Sequence, residues 1–509
     1  MKKLIGVLIL VMAITMLASV VAYSQDGPSG EIVIALPSDP TSLYLPRAAD
    51  RTAGNASWPL YDSLIFLTVD GELVPALAED WEINEEGTEY TFFLRQGVTF
   101  HNGEPFNADA VVATWEFGKD GSNDYADQYS EVTSIDVIDE YTVRLITDAP
   151  NPLFLTLLAD NWGIIPPAYM NEVGIDDFAQ NPVGTGPFRF VERIPGDRVV
   201  YEANPDYWNP DLPLLERVIF RVIPDSTTRV AALRSGEVDI INRLSADEAM
   251  LLSTNPEVEI ISYPNDRVYY VAFKNVNNGV GTPIENQLVR QALNHAVNRP
   301  GIIQGIFAGE AELISGFTVS TNLGYDPSIQ PYSYDPDLAR ELLAEAGFPD
   351  GFEISMGCPT DAYPSINEVC LAIQRDLSAV GVEVSLEFRT SNTYWGQPQY
   401  EAVGPMLVDS WSSAVGEALP RLQGALLPGN YYNAWEDDEI VDYIDRIGTT
   451  VDREERAALY TELSAYMFEN PPFIYLYQLN LFEAVSSRVQ GYEPRPAENY
   501  FLMEVSVSE

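Results

Sequence analysis

Lysine is nearly absent from this chain. After Lys2 and Lys3, only Lys119 and Lys274 occur, so the 28 cationic side chains are almost all arginine and face 76 acids. A net charge of −48 excludes nucleic acid and anionic membrane as partners, because both are polyanions. The acids are spread along the whole chain, as on the solvated surface of a salt-adapted protein; a cationic ligand is the other explanation. Histidine is just as scarce. His101 and His295 are the only two, too far apart in sequence to frame a metal centre or a proton relay. His101 sits in a turn beside Gly103 with no serine or cysteine partner, which suits a structural hydrogen bond. Two cysteines, Cys358 and Cys370, have no histidine nearby, so zinc is a poor reading; a disulfide is expected if the compartment is oxidising. The two glycines Gly184 and Gly186 lack both a G-x-G-x-x-G frame and a following Lys-Ser/Thr, so nothing there cradles a phosphate. Beyond the first residues no apolar run is long enough to span a bilayer.

What is present begins with a targeting segment. Lys2 and Lys3 precede the apolar run Leu4 to Val21, and Ala22-Tyr23-Ser24 offers small residues for cleavage after Ser24. Residues 1–24 therefore read as a cleavable signal peptide, and the mature chain as periplasmic or extracellular. The whole chain is 46% hydrophobic and 11% aromatic, hence globular, and long enough for two or three lobes.

Along the chain, Asn181-Pro-Val-Gly-Thr-Gly-Pro187 predicts a tight backbone crossing where a Cβ would clash, leading into a strand. Leu73 to Trp81 leads to a hairpin turning at Asn84 to Gly87, and Asn107 caps a helix from Ala108 towards Phe117. A helix is expected near Ala56 to Leu64, and a helix followed by a short strand between Pro150 and Pro167. Leu288 to Asn298 is amphipathic, with His295 off the buried face. Asp335-Pro336 starts another helix whose buried face is expected to carry Leu338, Leu342 and Ala346. Strands at Phe352 to Met356 and Val382 to Phe388 flank a helix at Ile366 to Val380, a βαβ unit. Asp452 with Glu455 predicts a capping box.

These stretches together resemble family 5 of the bacterial extracellular solute-binding proteins, the peptide, nickel and opine receptors of ABC importers. The Pro182 to Pro187 box, Leu73 to Val112, Val289 to Arg299 and Tyr334 to Gly347 each match a family motif. The resemblance implies an α/β, periplasmic-binding-protein-like fold of type II, with two main lobes joined by a hinge plus an inserted smaller domain. The main domain would comprise 28–55, 182–267 and 480–509, the inserted domain 56–181, and the closing domain 268–479, hinged near 267 and 480. The segment Gly357 to Tyr363 resembles a branch of the family with a paired-cysteine loop.

The resemblance also marks a candidate site in Tyr394 to Leu422. Trp411 resembles the Trp that lies against the ligand in peptide-binding relatives. In those relatives an Asp three residues later pairs with the ligand ammonium; here that position is Ala414. Asp409 and Glu417 are the available substitutes. Ser412, Ser413, Tyr394, Tyr125 and Tyr129 complete the candidate ligand-binding set, with a buried core aromatic as the competing reading for the Trp and the tyrosines. The implied function is a non-catalytic receptor for a small peptide or similar polar solute. It would deliver this solute to an ABC permease with its ATPase subunits, as a monomer, with no metal or cofactor. An opine or an oligosaccharide gains ground from Ala414. A secreted hydrolase using paired carboxylates is the remote alternative, because among so many acids two fall together by chance.

Overall fold

The computed structural model describes residues 27–48, 50–68, 71–360, 362–396, 401–413, 416–430, 432–496 and 498–508. The expected signal peptide and Ala414 lie outside them.

A mixed eleven-stranded sheet runs through the molecule. Its centre is formed by two long antiparallel strands, Val258–Phe273 and Phe473–Ser486, paired from Val258↔Ser486 to Ala272↔Phe473. Their register breaks between Pro264 and Val268, where proline has no N–H to give the ladder. The Gln478 side-chain amide donates to the Asn265 carbonyl in this gap. On one side the sheet continues through Met406–Trp411, Phe352–Pro359 and Val382–Arg389. The last two are parallel and joined by the helix Ile366–Ser378, as the βαβ pattern requires. On the other side Ile240–Ile241, Glu31–Leu36, Arg217–Val222, Arg198–Ala203 and Phe188–Ile194 follow in that spatial order.

Each long strand belongs to two cores. Val268 to Phe273 and Phe473 to Tyr477 are buried in a large apolar cluster built from residues from Val268 onward together with Leu153. The opposite ends, including Phe482, Ala484 and Val485, pack against clusters holding Ile32 to Leu36 and Ile240. A third cluster, Leu64 to Ile164, covers a four-stranded antiparallel sheet of Ala78–Ile83, Glu89–Leu94, Thr142–Thr147 and Val132–Asp139.

The glycine box crosses the 58–61 segment as closely as the sequence demands. A Cβ on Gly184 would lie 2.0 Å from the Leu60 carbonyl oxygen, and one on Gly186 2.4 Å from the Leu60 carbonyl carbon. His101 locks this crossing. Its backbone N–H donates to the Gly184 carbonyl at 2.9 Å, its Nδ1 accepts from the Gly184 N–H at 3.2 Å, and its Nε2 lies 3.0 Å from the Gly186 carbonyl. One accepting and one donating nitrogen define a neutral imidazole, and burial pushes its pKa down to about 4.

Several local expectations shift. The helix near Ala56 is Arg51–Ser57, started by the Asp50 carboxylate accepting from the Ala53 N–H at 2.9 Å. Pro59 then tightens the chain into a single 3₁₀ turn, Trp58–Leu60. After the helix Phe154–Asn161 no strand forms among the described residues before Pro167. In the helix Pro336–Glu345 the fully buried positions are Ala339 and Leu343, one residue beyond the expected stripe; Leu338, Leu342 and Ala346 are half-buried on its flank. Asp452 accepts from the Glu455 N–H at 2.8 Å, while the reciprocal box forms at Ser245 and Glu248.

Cys358 and Cys370 are disulfide-bonded, with Cα atoms 6.5 Å apart, tying the end of a strand to the helix that follows it. The bond closes a short loop. Replacing both cysteines by serine is expected to cost ~3 kcal/mol in urea unfolding. An unchanged unfolding midpoint would show that the neighbouring sheet alone holds the loop.

Candidate functional site

Two cavities lie beside the long strands, on either side of a single bend. Asp266 lines the first and Arg267 the second; likewise Ser413 lines the first and Ser412 the second. The first has a volume of about 490 Å³ and draws Trp58, Asp62, Phe66 and Asp160 from the early part of the chain and Glu417 and Arg453 from its later part. The segment 320–323 and the chain end, including Arg495 and Phe501, also line it. The second measures about 550 Å³ and is walled by Tyr363, Trp395, Trp411 and Tyr432, with Asp409 and Arg267 as its charged groups.

Alternation along Met406–Trp411 puts Asp409 and Trp411 on the same strand face. Trp411 is half-buried. Its ring lies over Gly424, where a Cβ would come within 2.2 Å of it, and meets the Tyr432 ring edge-on at 5.6 Å. Asp409 is 4% exposed. Its Oδ1 accepts from the Tyr363 hydroxyl at 3.1 Å and the Ser410 N–H at 2.8 Å, while Oδ2 takes only the Trp395 indole N–H, at 3.3 Å. Arg267 donates to the Ser410 and Ser412 hydroxyls at 2.8 and 3.3 Å.

Glu417 is placed differently. Its carboxylate accepts from Arg456 Nη2 at 2.7 Å, Arg456 Nε at 2.9 Å and the Tyr460 hydroxyl at 3.0 Å. The pair is buried, with both side chains 5% exposed, so the charge is neutralised within the protein. The Ser413 hydroxyl donates to the Glu417 carbonyl. Three candidate tyrosines line neither cavity. Tyr394 is fully buried with its hydroxyl 2.8 Å from the Val408 carbonyl and 3.0 Å from that of Gly357. Tyr129 stacks on Trp162 at 4.6 Å and donates to the Asn161 carbonyl at 2.6 Å. Tyr125 is half-buried and its N–H holds the Pro46 carbonyl. Arg267, Arg495, Asp160 and the Phe66/Phe501 pair were not marked by the sequence. Each is a single residue without a motif, and only the scarcity of cations could have drawn attention to the arginines.

Burial raises the carboxyl pKa of Asp62, Asp160 and Asp409 to about 6 in each case. Asp62 holds the joint behind the first cavity, accepting from Thr185, Tyr207 and Trp208 at 3.0, 2.9 and 3.1 Å. With folded values above the ordinary 3.8, the folded state binds more protons than the unfolded one between pH 4 and 6. These acids therefore make the protein more stable as pH falls from 6 towards 4; His101, with its depressed value, opposes them below pH 6.5. Asp409→Asn is expected to flatten the rise in urea midpoint between pH 6 and 4. An unchanged profile would mean that Asp409 ionises freely in the fold.

The family model of the bacterial extracellular solute-binding proteins, family 5 Middle, matches residues 72–433. The chain belongs to this family. It is 29% identical over 500 residues to the glutathione-binding protein GsiB of Escherichia coli K12, covering 96% of this chain and 95% of the relative. Among solved structures, HbpA2 from Haemophilus parasuis superposes with a TM-score of 0.87 at 27% identity, covering 94% of this chain and all of that one. The periplasmic binding protein DppA from Helicobacter pylori, in complex with the peptide STSA, gives 0.70 at 26% identity, covering 95% and 99%. This solute-binding protein thus has the α/β, periplasmic-binding-protein-like fold of type II. Family members are periplasmic. Among the described residues no helix is long and apolar enough to cross a membrane, and no group of three His, Cys, Asp or Glu side chains is placed to hold a metal.

Proposed function

We propose that this solute-binding protein is the extracytoplasmic receptor of an ABC importer, capturing a small peptide or peptide-like polar solute between its lobes and handing it to a membrane permease. The observation that carries this reading is the pair of cavities flanking the bend at Asp266 and Arg267, the first walled from both sides of the long strands and each lined by carboxylate and arginine side chains. Volumes near 500 Å³ suit a di- or tripeptide-sized solute. The domain division follows the same strands: a main domain of 28–55, 182–267 and 480–509, an inserted domain of 56–181, and a closing domain of 268–479. Bending where the ladder is broken would bring the lobes together, and the solute would stabilise the closed state by binding it more tightly. No catalysis is part of this role.

In this reading Asp409 receives the solute ammonium. Its Oδ2 retains capacity for a second donor, and Trp411 and Tyr363 stand beside it as apolar walls. That GsiB is a glutathione-binding protein and that DppA holds a peptide support the solute class.

Thermal shift of the mature protein against short peptides, glutathione, opines and oligosaccharides tests this. A peptide at a hundred times its Kd is expected to stabilise the fold by ~2.7 kcal/mol. Asp409→Asn is expected to weaken a free-amino peptide at least tenfold and its N-acetylated form hardly at all. Stabilisation by sugars or opines alone would overturn the peptide class, and turnover of a bound compound would overturn the receptor role.

A further inference from the structure

Arg495 has fewer hydrogen-bond partners than the other buried arginines. Arg229, Arg290, Arg299 and Arg421 each donate to two or three backbone carbonyls, although Nε of Arg229, Arg299 and Arg421 is also without a partner. Arg456 has Glu417. Arg495, only 8% exposed, has a single carbonyl partner: Nη1 donates to Leu67 at 2.9 Å. Its Nε is buried without a partner, and no carboxylate of the described residues lies within ion-pair distance. The chain carries 76 acids against 28 cations, so leaving a desolvated guanidinium without an acid is the costly arrangement.

The geometry holds the group ready. The guanidinium carbon lies over the Phe501 ring, 3.4 Å from its centre, and Phe66 packs edge-on against Phe501 with its own centre 5.6 Å from that carbon, which fixes the side chain. Nη1 is held by Leu67 and Nε is enclosed, so Nη2 is the nitrogen left without a bond, on a side chain that lines the first cavity. A charged N–H donor of this kind pairs strongly with a carboxylate oxygen. Two acids share the same cavity without neutralising it. Among the described residues the Asp160 carboxylate makes no hydrogen bond or ion pair, and Asp266 Oδ2 is buried without a partner. Charges of both signs are thus kept apart around one space, as a solute carrying both would require.

We propose that Arg495 is the carboxylate-recognition residue of this receptor, receiving a free carboxylate of the solute through its Nη2 while the guanidinium rests on Phe501. The solute class narrows to amino-acid-derived acids with a free carboxylate and excludes neutral oligosaccharides. This rests on the proposed receptor role, with the solute reaching from Asp409 in the second cavity past the bend into the first.

Calorimetry on the full mature protein with trialanine, glutathione and the C-terminal amide of each tests the proposal. The parent is expected to bind the free acid at least tenfold more tightly than the amide. Arg495→Gln should lose this preference by weakening the acid alone, and Arg495→Lys should keep part of it. Arg495→Lys retains the charge, so it also separates loss of recognition from loss of folding, which circular dichroism checks. An acid preference retained in folded Arg495→Gln, or equal binding of acid and amide by the parent, overturns the proposal. If no peptide binds, the peptide reading fails by itself and glutarate decides the anion site by thermal shift. A glutarate-dependent rise in Tm that Arg495→Gln lacks supports the site; no rise in the parent, or an equal rise in both, overturns it.

Discussion

Gly186→Ala is expected to destabilise the protein by about 4 kcal/mol or more, seen as a lower urea midpoint at unchanged slope and a reduced soluble yield. The added Cβ would sit 2.4 Å from the Leu60 carbonyl carbon and 2.6 Å from the Tyr61 nitrogen, both backbone atoms. Neither can move cheaply. The Gly186 N–H donates to the Leu60 carbonyl at 3.0 Å, and the Tyr61 hydroxyl is tied to the Leu43 carbonyl at 2.9 Å. His101 grips the same crossing from its other side. Neither Gly184 nor Gly186 has a positive φ, so what they supply is space and not backbone freedom. Parental stability in Gly186→Ala, within 0.5 kcal/mol, would show that the two segments can separate without loss.

Glu417→Ala should be nearly as damaging. Arg456 is 4% exposed and would keep its charge in the interior with only the Thr450 and Val451 carbonyls, each at 2.9 Å, as partners. Removing one half of such a pair costs roughly 3–5 kcal/mol, while replacing both halves by apolar groups of similar size can be nearly neutral. The double variant Glu417→Leu/Arg456→Met is therefore expected to recover most of the lost unfolding free energy. Solute affinity of the folded protein should change little, because the carboxylate is already used by Arg456 and Tyr460. A Glu417→Ala variant of parental stability that no longer binds solute would reverse this assignment and make Glu417 the ammonium anchor.

Features carried by neighbouring residues were legible in the sequence. Asn107 and Asp335 accept the helix-starting N–H groups where their positions imply it, because a cap depends on residues two or three places away. The glycine box announced a close approach, although not what it approaches. Trp411, Ser412 and Asp409 could be placed beside a cavity because one strand and its exit carry all three. Tyr394 lies in the same stretch, yet it faces the Gly357 and Val408 carbonyls inside the sheet layer. Short-range sequence does not state which side of an irregular segment turns inward. The helix Pro336–Glu345 shows the same limit on a smaller scale, since its buried stripe is set by the facing helix Gln287–Ala296 and not by its own periodicity.

By itself the sequence determined the family, the α/β character and the βαβ unit around Ile366–Ser378. Motif order and composition survive without coordinates. Only the tertiary structure decided which charges meet. Glu417 finds Arg456 thirty-nine residues away, and Arg495 comes from the chain end to share a cavity with Asp160 and Asp266 while touching neither. The physical reason is desolvation. The same carboxylate or guanidinium is inert on a wet surface, a structural clamp when paired inside, and a recognition group when buried beside an empty space. Its burial is set by segments that are distant in the chain.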